Sequence, residues 1–226
     1  MARSFNQDLV TYYNERAHEY DGVYAGKNPA IDRADLYITD VTKIARLASR
    51  FGTGDIIDIG CGTGYWLSYY GKNASHVLLI DESVNMLAEC RNRVRELGMN
   101  EKCDFTQGNF FIAPLGKRQF DGAVIGFVLS HMGADDVALF FERLETILAR
   151  NAQILVIDSA WSATRARYRN KRGVQERTLS DGRVFSIYKQ YFTLDELSAL
   201  MFCNGFELTS SYAGEVFLAA VGVRRA

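Results

Sequence analysis

Residues 55–64 read Asp55-Ile56-Ile57-Asp58-Ile59-Gly60-Cys61-Gly62-Thr63-Gly64. A short apolar run carrying one acid empties into three glycines on alternate positions. That pattern predicts a buried strand feeding a tight loop that opens a helix. Glycine serves there because a Cβ would block turns with positive φ and hold a ligand off the backbone. The loop is expected to offer amide N–H groups and a helix N-terminus to a nucleotide-like ligand. Spacing then narrows the ligand. The dinucleotide fingerprint G-x-G-x-x-G needs a third glycine where Tyr65 stands, and no Lys-Ser/Thr pair follows to make a triphosphate loop. A second apolar run, Val77-Leu78-Leu79-Ile80, ends in Asp81, and an acid at that strand tip can hold both hydroxyls of a ribose. The site therefore has a ribose clamp and a glycine turn without a full pyrophosphate cradle. It also has an acid, Asp58, where a cationic ammonium would be welcome.

These residues resemble the class I, Rossmann-like S-adenosylmethionine-dependent methyltransferases, in their small-molecule branch. The resemblance extends along the chain. Tyr13-x-x-Arg16-Ala17-x-x-Tyr20-Asp21 is similar to an N-terminal segment of those enzymes. Gln107-Gly108-Asn109-Phe110 stands where they carry Gly-Asp after the third strand. Phe120-Asp121 through Ser130-His131-Met132 is similar to their fourth strand and its histidine tail. Tyr191-Phe192-Thr193-Leu194-Asp195-Glu196-Leu197, then Asn204-Gly205-Phe206, resembles the element before the last two strands.

The resemblance implies S-adenosylmethionine as cofactor and S-adenosylhomocysteine as product. It implies roles residue by residue. Gly60, Cys61, Gly62 and Gly64 would line the methionine portion, and Asp58 would reach the ammonium group. Asp81, with Glu82 beside it, would take the ribose hydroxyls. Met86 would pack on adenine, with Gly108, Asn109, Phe110 and Ile125 around it. Asn109 replaces the family's usual aspartate. Its carbonyl oxygen can accept the same hydrogen bond without charge assistance, so a somewhat weaker adenine contact is expected. Tyr13 and Tyr20, in an N-terminal helical lid, would close over the cofactor and exclude water. His131 is the candidate base or orienter. Tyr12, Tyr24, Phe127, His131, Trp161, Arg169 and Tyr188 are expected toward the acceptor. The basic run Arg165–Arg172 reads either as a solvated lid helix, the commoner fate of charge runs, or as a contact for a negatively charged partner. No metal site is expected.

Composition agrees. A chain of 226 residues suits one α/β domain, and a net charge of −1 gives no general pull toward nucleic acid or anionic membrane. Four scattered cysteines, Cys61, Cys90, Cys103 and Cys203, suit free thiols in a reducing compartment. No signal pattern or bilayer-length apolar run is visible, so a cytoplasmic location is expected.

Alternating strands and helices predict an α/β fold: a doubly wound, mostly parallel seven-stranded sheet with helices on both faces and an antiparallel C-terminal hairpin. One domain over 1–226 is expected, with lid or cap helices in 1–50, a cofactor-binding core in 51–160, a substrate-side insertion in 161–192 and closing elements in 193–226. Helices are expected over 5–20 (Phe5, Leu9, Tyr13 and Ala17 on one stripe) and 32–50, with a break at Asn28-Pro29. A helix is expected to begin near Thr63, another to run from the Ser83 cap to Leu97. Only 183–190 is expected as a strand within the insertion.

Three functions fit. The first is methyl transfer to an O, N or C nucleophile of a small molecule by in-line displacement. The second is an RNA- or protein-modifying methyltransferase, disfavoured by balanced charge and by the lack of Asn/Asp-Pro-Pro-Tyr at strand four. The third is a non-catalytic binder of S-adenosylmethionine, against which an acceptor cavity of ~300 Å³ or more would argue.

Overall fold

The computed structural model describes residues 7–27, 31–116 and 118–225. The expected stripe position Phe5 and the break at Asn28-Pro29 lie outside them. Strand β1 (Gly54–Ile59) pairs in parallel with β2 (Ala74–Asp81) on one side and β4 (Phe120–Gly126) on the other. Strand β3 (Cys103–Gln107) continues beyond β2, and β5 (Leu148–Ser159) beyond β4. The closing strands β8 (Phe206–Ala213) and β9 (Phe217–Arg224) form an antiparallel hairpin whose β9 pairs with β5. The order is β3-β2-β1-β4-β5-β9-β8. The order reverses between β1 and β4, which opens a crevice beyond their carboxyl ends.

Both faces of the sheet are buried, and the alternation of side chains along each strand shows why. On one face Ile57, Ile59, Ala123, Ile125, Ile154 and Val156 meet α5 (Ala134–Ile147) and α6 (Leu194–Cys203). On the other, Ile56, Val77, Leu79, Val124, Leu155 and Ile157 meet α2 (Ala34–Ala48), α3 (Leu67–Tyr70) and α4 (Val84–Glu96). Two helix starts follow their sequence. The Ser83 hydroxyl accepts the Met86 N–H, and Thr193 forms a reciprocal capping box with Glu196.

Helix α1 covers Gln7–Arg16 and passes into a 3₁₀ segment, Ala17–Ala25, so the single helix expected over 5–20 is two elements. Both lie over the carboxyl end of the sheet and are latched there. The Asn14 side-chain oxygen accepts from the Ser83 hydroxyl at 2.6 Å, and the Asn85 amide donates to the Asn14 carbonyl at 3.0 Å. Asp21 accepts from the Thr63 hydroxyl at 2.6 Å and pairs with Arg93.

The insertion departs from expectation. Residues 172–178, expected without a strand, form β6 (Arg172–Thr178), which pairs antiparallel with β7 (Val184–Gln190) as a separate two-stranded sheet. Of the expected lid helix over Arg165–Arg172, only one 3₁₀ turn, Arg165–Arg167, is present. The ribbon lies against the lid through Tyr12, Leu179 and Ile187.

Candidate active site

The glycine loop gives room more than donors. Gly60, Gly62 and Gly64 all have positive φ, so the turn needs them. The N–H groups of Gly60 and Cys61 both go to the Ile80 carbonyl, and that of Gly62 to the Asp81 carboxylate at 2.9 Å. Helix α3 begins only at Leu67, not near Thr63. The first three amides of the expected cradle are therefore spent on joining β1 to β2, and the helix N-terminus lies further along the chain. What remains is open space: a Cβ built on Gly62 or on Gly108 would meet nothing within 4 Å. Gly64 has a packing role, since its Cβ would come within 2.7 Å of the Cys90 Sγ.

Three cavities meet under the lid. The first, about 150 Å³, is lined by Gly60, Gly62, Asp81, Glu82, Met86, Gly108, Asn109 and Phe110, with Tyr13 and Tyr20 above. Asp81 accepts the Gly62 and Ser83 N–H groups, one on each oxygen, which leaves each oxygen a lone pair. Burial raises its pKa against those donors, and burial raises that of Glu82 too. Asn109 is used differently from expectation: its side-chain oxygen already accepts the Phe111 N–H at 2.8 Å and its amide donates to Glu82 at 3.2 Å. Ile125 is fully buried in the core and lines no cavity.

A small chamber of about 20 Å³ holds Asp58, Cys61, Tyr24, Tyr65 and Trp66. Asp58 accepts the Tyr70 hydroxyl at 2.6 Å, and burial, with Asp81 as a nearby like charge, pushes its carboxyl up to about 7. The Trp66 indole N–H is buried there with no hydrogen-bond partner. Tyr24, expected toward the acceptor, stacks on Tyr65 with centroids 3.9 Å apart and closes this chamber instead.

The third cavity, about 620 Å³, opens between the lid and the ribbon. Tyr12, Phe127, His131 and Arg169 line it, as do Arg16, Arg165, Arg177 and Lys189. Trp161 stands outside the lining, packed toward Tyr191, and Tyr188 contributes to the site by its carbonyl alone. Tyr13, Tyr20, Phe127 and His131 line both large cavities, so they mark the junction. Phe127 holds φ +60°, a conformation costly for a bulky residue, at the end of β4.

His131 is held at both nitrogens. Nδ1 lies 2.8 Å from the Tyr188 carbonyl and Nε2 lies 2.8 Å from the Tyr13 hydroxyl. A carbonyl only accepts, so Nδ1 carries the proton and Nε2 accepts from Tyr13. Burial and the Lys189 charge hold the imidazole well below its usual pKa, so the ring is neutral.

A family model described as a methyltransferase domain matches residues 56–151. The chain shares its whole fold with solved structures. It is 25% identical to the protein of the DhpI–SAM–HEP complex, over 98% of this chain and 99% of that one, with a TM-score of 0.76. Residues 56–151 thus carry a methyltransferase domain, and the chain is an S-adenosylmethionine-dependent methyltransferase. Two further likenesses concern the fold. One is the 1,6-didemethyltoxoflavin N1-methyltransferase of Burkholderia thailandensis, at 17% identity, 100% and 91% coverage and TM-score 0.64. The other is the N-methyltransferase NodS of Bradyrhizobium japonicum, at 14% identity, 97% and 100% coverage and TM-score 0.66. No curated protein matches the chain.

The cofactor of this methyltransferase is S-adenosylmethionine, with S-adenosylhomocysteine as product. The structure's own residues fit that group. Gly62 and Gly108 leave unfilled space, Asp81 keeps free lone pairs beside it, and an orphaned indole N–H and a buried carboxylate face one chamber next to the glycine loop. Sequence reading missed Asp21, Trp66, Arg16, Arg177 and Lys189. Asp21 stands in the motif Tyr13-x-x-Arg16-Ala17-x-x-Tyr20-Asp21, so only its partners were hidden.

Proposed function

We propose that this methyltransferase transfers its methyl group to a small molecule held in the cavity between lid and ribbon. The observation that carries the reading is the common wall. Tyr13, Tyr20, Phe127 and His131 line both the glycine-loop cavity and the larger cavity, so a donor in one can face an acceptor in the other. The larger space, about 620 Å³, suits a metabolite and exceeds what a cofactor-only binder needs. Among the described residues no helix is long and apolar enough to cross a membrane.

In this reading Asp81 takes the ribose hydroxyls and Met86 packs on adenine. Asp58 faces the ammonium, and the Trp66 indole N–H faces the carboxylate of the methionine portion. Bound cofactor supplies a methyl already activated by the sulfonium, so the protein's task is alignment. Near-attack positioning is worth about 7–11 kcal/mol in favourable cases. The latched lid excludes water from the junction. His131 acts as an orienter: its tautomer is fixed by the Tyr188 carbonyl, and its lone pair holds the Tyr13 hydroxyl over the site. The whole chain works as one domain, and the free, mostly buried cysteines suit a reducing cytoplasm.

The test is a titration with S-adenosylhomocysteine followed by a structure of the complex. Saturable binding with the adenosyl group against Asp81 and Met86 is expected. Folded protein that gives no saturation would overturn the reading.

A further inference from the structure

The larger cavity gathers cations that lack a carboxylate partner. Elsewhere Arg33 pairs with Asp35, Arg183 with Glu15 and Asp181, Arg118 with Asp104, and Lys171 with Glu196. Among the described residues, Arg16, Arg165, Arg169 and Arg177 make no such pair. Their donors go to neutral acceptors. Arg16 donates to the Tyr12 hydroxyl at 2.6 Å, and Arg165 to the carbonyls of Ala160 and Val216. Arg177 donates to the Gln175 side chain and the Tyr191 hydroxyl. The Arg169 Nε is buried with no partner. Neutral acceptors satisfy hydrogen bonds but leave the charge in place, and uncompensated charge away from water is costly.

Lys189 adds a further cation at the junction, as one member of an ion pair. It is buried, its ammonium donates to the Ser130 hydroxyl at 2.5 Å, and it lies 5.8 Å from the Phe127 ring centroid. Asp158 is its ion-pair partner, at 3.6 Å, and that carboxylate also receives the Ser130 and Ser159 N–H groups. Three carboxylates also line the cavity. Asp21 is committed to Arg93 and Thr63, Glu19 receives the Ser180 N–H at 3.4 Å, and Glu176 is exposed. The glycine-loop cavity has the opposite character, with Asp81 and Glu82 in its wall.

Among the described residues, the histidine and the two tyrosines of the common wall offer no free base. Both nitrogens of His131 are engaged, and Tyr13 and Tyr20 are held well above the usual phenol pKa by burial. A neutral hydroxyl or a protonated amine would need a group to take its proton.

We propose that the methyl acceptor is a small molecule bearing an oxyanion, phosphoryl or carboxylate, and that its charged oxygen is itself the nucleophile, drawn to the junction by Lys189, Arg177 and Arg16. The step balances without a base. The acceptor oxygen forms a bond to the methyl carbon, and the C–S bond breaks with its electron pair returning to sulfur. The sulfonium becomes a neutral thioether, the acceptor loses one negative charge, and no proton moves. The inference rests on the methyl-transfer reading above.

The experiment uses calorimetry on the full chain loaded with S-adenosylhomocysteine. The probes are phenylphosphonate, benzoate and neutral benzamide. At least one of the two anions should bind, at least tenfold more tightly than benzamide. Arg177→Gln and Lys189→Met should each weaken that anion at least tenfold while changing S-adenosylhomocysteine affinity less than twofold. Arg177→Gln leaves the buried Lys189–Asp158 pair intact, so it reports even where Lys189→Met unfolds the chain. Incubation with S-adenosylmethionine and the bound anion, read by mass spectrometry, should give a methyl ester. Rapid cleavage of that ester by hydroxide identifies a carboxylate, and resistance identifies a phosphoryl group. Binding of S-adenosylhomocysteine with no preference for either anion, or unchanged anion affinity in Arg177→Gln, overturns this inference alone. Failure of S-adenosylhomocysteine itself to bind overturns the methyl-transfer reading as well.

Discussion

The Tyr13 hydroxyl and His131 Nε2 lie 2.8 Å apart although 118 residues separate them in the chain. The bond ties the lid to the turn after β4, and it occupies the lone pair that a general base would use. Because burial holds His131 neutral, no kinetic limb near pH 6.5 should arise from it. His131→Ala should lower kcat about tenfold or more and change S-adenosylhomocysteine affinity less. A pH–rate limb near 6.5 that disappears in His131→Ala would restore the base role.

Asp81 joins the glycine loop to the start of α4 and faces the cofactor cavity. Asp81→Ala should raise the cofactor dissociation constant by about 10–100-fold, or about 1.4–2.8 kcal/mol. Asp81→Asn keeps an acceptor for one backbone N–H and should fall between. Unchanged affinity in both, measured by calorimetry, removes the ribose clamp.

Asp58 makes cofactor binding depend on pH. Its folded pKa, about 7, stands above the ordinary carboxyl value because the site is buried. The folded state therefore binds the extra proton, and this group destabilises the fold increasingly as pH rises from about 4 through about 7. An ammonium beside it favours the charged form. Cofactor affinity should accordingly fall as pH drops below 7, approaching tenfold per unit, and Asp58→Asn should flatten the profile. An identical slope in wild type and Asp58→Asn would contradict the assignment.

Asp40 holds the fold rather than the chemistry. From α2 its carboxylate accepts the Tyr212 hydroxyl and the N–H groups of Val216 and Phe217 at 2.8–2.9 Å, closing the β8–β9 turn. A Cβ on Gly214 would lie 2.3 Å from that carboxylate, so glycine is required there. Asp40→Ala strands these buried donors and should cost about 3 kcal/mol, read as a lowered denaturant midpoint. Cofactor affinity of the folded fraction should be unchanged.

Arg93 and Asp21 latch the 3₁₀ segment to the glycine loop. Arg93→Gln should speed dissociation of S-adenosylhomocysteine in stopped flow, with stability changed by less than about 1 kcal/mol because the pair is partly exposed. Slower or unchanged release would show that the lid does not gate the site.

The succession of core strands and helices and the ends of β1, β2 and β4 were legible because buried parallel strands are apolar runs punctuated by glycine and acid; the order of strands within the sheet came from the structure. Strand β6 was not, since Arg172–Thr178 is polar and alternates only between exposed and half-buried positions. A sheet of two strands draws its register from its partner and from the lid beneath it, and neither is written locally.

The residues 55–64, with Asp81, by themselves gave the glycine turn and the ribose clamp, and the alternation of strands and helices gave the doubly wound sheet, because local turn geometry and strand periodicity act over a few residues; the cofactor followed from the family resemblance of the motifs. The tertiary structure alone decided the rest: that Tyr13 caps His131, that the first three amides of the glycine loop are spent internally, and that Arg16, Arg177 and Lys189 converge on one cavity. Charge and hydrogen-bond satisfaction depend on distance in space, and Arg16 on α1 lies far along the chain from Arg177 and Lys189 on the β6–β7 ribbon.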